Sequence, residues 1–81
     1  MDIVKKILEI TKLAILCEAK GFHCFTEYSA HISEFTVRIF DGKWDPTKTP
    51  IRVDFYLGDD TALSQADSVI RRLKSMIKEN K

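Results

Sequence analysis

No stretch of this 81-residue sequence is apolar long enough to cross a bilayer; charged side chains interrupt every window of about 18 residues. Cysteine is scarce. Cys17 and Cys24 are the only two, too few for a disulfide framework, and both fall at apolar positions. They are expected as buried thiols in a reducing, cytoplasmic setting. Three glycines and two prolines leave no linker, repeat or low-complexity segment. One domain over residues 1–81 is therefore expected, close to the lower size for a single core. Neither sign of charge dominates: 13 basic against 12 acidic residues give a net charge of +1. That balance argues against a dedicated nucleic-acid binder with a basic stripe, and equally against an acidic mimic. Glu9 and Lys12 break any signal-peptide core near the start, and no small-residue cleavage site follows. The chain is expected to act whole.

What is present is an ordered series of periodicities. Over Asp2–Lys20, Ile3, Ile7, Ile10, Ala14 and Cys17 recur at helical spacing. Val4, Leu8, Leu13 and Ile15 widen that face, and Leu16 falls among the polar residues opposite. The apolar arc is wider than one sheet face needs. Gly21 supplies a stop. Phe22–Tyr28 has strand composition, but its two faces are ambiguous: Phe22, Cys24, Thr26 and Tyr28 on one, His23, Phe25 and Glu27 on the other. Ser29, Ala30 and His31 form a turn.

Ile32–Asp41 then alternates, with Phe35, Val37 and Ile39 inward. Ile51–Leu57 alternates most cleanly, with Ile51, Val53, Phe55 and Leu57 inward. Asp41–Pro50 is a long connecting loop. Asp59, Asp60 and Thr61 offer caps for a last helix whose stripe is Leu63, Ala66, Ile70, Leu73 and Ile77. These elements predict an α+β fold of order α-β-β-β-α. Two helices cover one face of a three-stranded antiparallel sheet, and the other face stays open.

Catalytic and metal constellations are weak. Cys17, His23, Cys24 and His31 have zinc-ligand chemistry but not the paired spacing of a zinc site, and neighbours on a strand point apart. No metal and no cofactor is expected. Cys17 lies on the apolar stripe, where desolvation quenches a thiol; Cys24 beside His31 is the one remaining route to thiol chemistry. Glu27, Glu34 and Asp54 share the open face with Arg38 and Arg52, which reads as cross-strand charge pairing. No enzyme is expected.

Arg71, Arg72, Lys74, Lys78 and Lys81 crowd the end of the last helix. Dipole compensation and an Asp67–Arg71 pair explain them, with phosphate binding as the alternative. Trp44, next to Lys43, is either a lid over the core edge or an exposed anchor for a partner. Tyr56, Phe40 and Tyr28 are candidates for an aromatic patch beside it.

Two resemblances bear on function. The element order over nearly the whole chain resembles the double-stranded-RNA-binding domain, and His31 sits in a turn where that family often has a histidine. That family carries lysines at the start of its last helix to grip phosphates. Here Gly58-Asp59-Asp60-Thr61 stands in their place, so the resemblance is one of element order without the basic motif.

The pattern Glu27-Tyr28-Ser29-Ala30-His31-Ile32, Arg38-Ile39, Gly42-x-Trp44, Pro50 and Asp54-x-Tyr56-Leu57 resembles small proteins of bacteriophages and prophages. Ala30 replaces a glycine of that pattern. The resemblance implies an accessory protein that binds a host or phage protein, such as an inhibitor of bacterial immunity. The expected function is thus a non-enzymatic protein-interaction module. Trp44, Lys43, Arg38, Arg52, Tyr56 and Leu16 are the contact candidates, and homodimerisation is expected from the uncovered sheet. The alternative is nucleic-acid binding through Arg71, Arg72, Lys74 and Lys78.

Overall fold

The computed structural model describes residues 2–42 and 45–79. Five elements follow one another: α1 (Asp2–Ala19), β1 (Cys24–Ser29), β2 (Glu34–Ile39), β3 (Ile51–Tyr56) and α2 (Ala62–Glu79). The α-β-β-β-α order and the α+β class are as the periodicities require.

α1 buries Ile3, Ile10, Leu13, Ala14 and Cys17. It ends in two bonds made possible by Gly21, whose φ is +90°. The Gly21 N–H donates to the Glu18 carbonyl at 3.0 Å, and the Phe22 N–H donates to the Cys17 carbonyl at 3.0 Å. This double bond pattern uses a left-handed residue to satisfy the last carbonyls. Phe22, expected in the first strand, instead follows the cap and packs against the core.

The sheet has the order β1-β2-β3, and both pairings are antiparallel. Cys24 faces Ile39, Tyr28 faces Phe35, and Phe35 faces Phe55 in register. The central strand is the most buried. Phe35, Val37 and Ile39 join Phe55 and the buried faces of α1 and α2 in a single cluster, so both helices cover one face of the sheet.

Three expectations shift. Ile32 lies in the β1–β2 turn, because Ser33 takes a left-handed φ of +52° and delays β2 to Glu34. Ile51 keeps the inward parity, opposite Ile39, yet is 45% exposed, since it opens an edge strand at the border of the helical layer. Leu63 is 42% exposed; Ala62, Ala66, Val69 and Leu73 centre the α2 stripe and leave Leu63 on its flank.

Thr61 caps α2: its carbonyl accepts the Gln65 N–H at 2.9 Å, and the Asp59 carboxylate accepts the Thr61 N–H at 2.9 Å. The helices are tied across their exposed seam by Lys6 to Asp67 and by Lys74 to Glu9. Asp67 therefore pairs with α1 and not, as helical spacing suggested, with Arg71.

Candidate functional site: the open sheet face

Strand alternation and register place the side chains of the uncovered face in four rows across β1, β2 and β3. The first row is Ser29, Glu34 and Tyr56. The second is Glu27, Thr36 and Asp54. The third is Phe25, Arg38 and Arg52. The last holds His23 and Phe40, just beyond the strand ends. An acidic row thus lies against a basic one.

Asp54 ties the acidic row to the basic one. The Thr36 hydroxyl, buried at the centre, donates to Asp54 across β2–β3 at 2.7 Å. The Arg52 Nε donates to the same carboxylate at 3.0 Å. The Thr36 bond is the main cause holding the Asp54 carboxyl below its ordinary range; Arg52 adds to it, against the opposing effect of partial burial. The Arg52–Asp54 pair runs along β3 and is not the cross-strand pairing expected.

The last two rows form an aromatic corner. Phe25 and Phe40 meet edge to face at 5.6 Å between centroids, and His23 meets Phe25 at 6.2 Å. The Arg38 guanidinium lies 5.3 Å from the Phe25 centroid. Phe25, which blurred the strand's facing in the sequence, is the residue that organises this corner. Its signal was a large apolar side chain at the outward parity.

The aromatic patch expected from Tyr56, Phe40 and Tyr28 does not form. Tyr56 stands at the opposite end of the sheet, and Tyr28 shares the helix-side parity with Cys24 and Thr26. Lys43 and Trp44, the latter read as a lid or an anchor, lie outside the described residues.

The remaining candidates fall elsewhere. Leu16 is exposed on the outer side of α1, in the helical layer, and does not share a surface with Arg38, Arg52 and Tyr56. Arg71, Arg72, Lys74 and Lys78 are exposed along the second half of α2, and Lys74 faces Glu9 at 3.9 Å.

Cys24 points into a groove of about 530 Å³ between α1 and β1, shared with Thr11, Ile15 and Glu18. Burial, reinforced by the nearby Cys17 thiol, pushes the Cys24 thiol up to about 12. It is therefore protonated at neutral pH, and a protonated thiol is a poor nucleophile. His23 and Cys24 point to opposite faces of β1. Among the described residues, no group of three or more His, Cys, Asp or Glu side chains is placed to hold a metal ion. No helix among them is long and apolar enough to cross a membrane.

The fold and the open face together define a small α+β module with one polar and aromatic sheet surface left uncovered. Comparison with protein-family models, with curated proteins and with solved structures finds no match for the chain.

Proposed function

We propose that the protein is a non-enzymatic protein-interaction module whose open sheet face meets a partner protein. The observation that carries this reading is the uncovered row of Phe25, Arg38 and Arg52, in which one guanidinium already rests on an aromatic ring. Arginine and aromatic side chains dominate the energetics of protein interfaces, and a sheet face held by backbone pairing presents them without a large ordering cost. The adjacent Glu27 and Asp54 give the surface both signs of charge, which suits selection of a protein partner over a uniformly anionic polymer. The resemblance to phage and prophage proteins gives the reading its context: an accessory protein that binds and modulates a host or phage protein, for example as an inhibitor of bacterial immunity.

The experiment is affinity capture from a phage-infected host with the wild type and with Arg38→Glu and Arg52→Glu variants. A partner retained by the wild type and lost by variants with unchanged circular dichroism supports the reading. A set of captured proteins identical for all three chains overturns it.

The nucleic-acid alternative would use Arg71, Arg72, Lys74 and Lys78. Asp59 and Asp60 at the start of α2 oppose it, since carboxylates there repel the phosphates that a double-stranded-RNA-binding domain grips.

A further inference from the structure

β1 is an edge strand, paired only with β2. The Phe40 N–H donates to the His23 carbonyl at 2.9 Å, and antiparallel alternation carries that pattern to Phe25, Glu27 and Ser29. The main-chain N–H and C=O groups of Cys24, Thr26 and Tyr28 therefore point away from the sheet. Natural edges are commonly guarded by proline, lysine or a bulge. β1 has none of these, and its six residues carry a single charge, Glu27. The opposite edge, β3, is preceded by Pro50 and carries Arg52 and Asp54.

A second apolar surface adjoins this edge. Val4, Leu8 and Ile15 are 42%, 64% and 69% exposed. With Thr11 they follow one line along α1 at spacings of four, three and four. The helical positions of Lys6 and Glu9, which reach α2, lie on the other flank. Thr11 and Ile15 line the groove against His23, Cys24, Phe25 and Thr26. The ridge thus stands beside the unpaired edge of β1.

We propose that this lateral surface is closed by a second copy of the chain. Two β1 strands pair antiparallel about a two-fold axis, and the two Val4–Leu8–Ile15 ridges pack across it. The edge selects a like partner for three reasons. A two-fold contact satisfies the same outward N–H and C=O groups on both copies. Val4, Leu8 and Ile15 are apolar on both copies, and Glu18 is the charged residue of α1 that shares the groove beside them. The side chains of β1 also suit a self-paired register. Centred on Phe25, that register sets Phe25 against the second copy's Phe25, the His23 imidazole against the Glu27 carboxylate, and Cys24 against Thr26; aromatic and unlike polar pairs of this kind are favourable. The register centred on Glu27 would oppose two carboxylates and is disfavoured.

A stable dimer needs about 800 Å² buried on each partner, more than a six-residue strand contributes alone. The exposed ridge of α1 is the surface that makes up the difference. This accounts for the over-wide apolar face of α1 and leaves the polar sheet faces of both copies on one side. The assignment does not depend on the protein-interaction reading above.

The test is sedimentation equilibrium of the full chain over a range of concentrations. A reversible dimer is expected for the wild type. Leu8→Lys with Ile15→Glu, both at exposed positions, should give a folded monomer. Thr26→Pro removes one outward N–H without touching the β1–β2 ladder and should also give a monomer. A wild type that stays monomeric at every soluble concentration overturns the proposal, including one that binds an added extended peptide instead. A dimer that survives both variants equally overturns it. The register is tested by Phe25→Cys in a Cys17→Ala, Cys24→Ala background. Oxidation should link the dimer, because facing residues in a non-hydrogen-bonded pair lie within disulfide reach. Failure of that dimer to cross-link overturns the register.

Discussion

Arg38 stands directly opposite Arg52 in the β2–β3 register, yet each guanidinium is turned to a different partner. Arg38 lies over the Phe25 ring at 5.3 Å, and Arg52 bonds Asp54 at 3.0 Å. Like charges directly opposite on a sheet are destabilising, and these two contacts draw the charges apart. Arg38→Met keeps an aliphatic chain over Phe25 and removes one of the facing charges. The variant should melt at a higher temperature than the wild type at low ionic strength. The gain should shrink in high salt, where exposed charges are screened. Thermal melts at two salt concentrations measure it.

The Thr36–Asp54 bond links the buried centre of the sheet to its open face. Thr36→Val removes the hydroxyl while keeping the shape, and should cost about 1 kcal/mol at neutral pH. The sign with pH follows from the lowered Asp54 carboxyl. A carboxylate favoured in the folded state stabilises above its unfolded value of about 3.9 and loses that contribution as pH falls through its folded value. The gap between wild type and variant should therefore narrow in acid. Urea unfolding at neutral and acidic pH measures it.

Gly21 and Gly58 make opposite predictions for the same substitution. Neither has a heavy atom within 4 Å of an added Cβ, but Gly21 has a φ of +90° and Gly58 is not in the left-handed region. Gly21→Ala should destabilise by about 1–2 kcal/mol through backbone strain alone. Gly58→Ala should be neutral or slightly stabilising, because it restricts the unfolded chain. Chemical denaturation of the two variants separates them.

Cys24 should alkylate more than about tenfold more slowly than an unfolded-chain thiol at pH 8, since its thiolate is disfavoured in the fold. Its raised value also sets a pH dependence. Stability is unaffected below about 8.5, the ordinary thiol value. It falls as pH rises from there toward about 12, because only the unfolded chain ionises easily. Timed reaction with a maleimide probe, native and in urea, gives the rate ratio.

The element order and the inward face of β2 were legible in the sequence because they are local. A period of 3.6 or 2 is set by how side chains leave a helix or strand, and a burial face repeats it. Phe35, Val37, Ile39 and Phe55 are inward for that reason, and Gly21 ends α1 because its backbone must turn left-handed. The outward partners were not legible. Alternation placed Glu27, Arg38, Arg52 and Asp54 on one face, but it could not assign Arg38 to Phe25 or Asp67 to Lys6. Those choices depend on the β1–β2 and β2–β3 registers and on the docking of two helices. Contacts between residues far apart in the chain are decided by packing, and no local repeat encodes them. The two facings of β1 were likewise undecided until α1 covered Cys24 and left Phe25 on the open side, because a six-residue edge strand with apolar residues at both parities is oriented only by what packs on it.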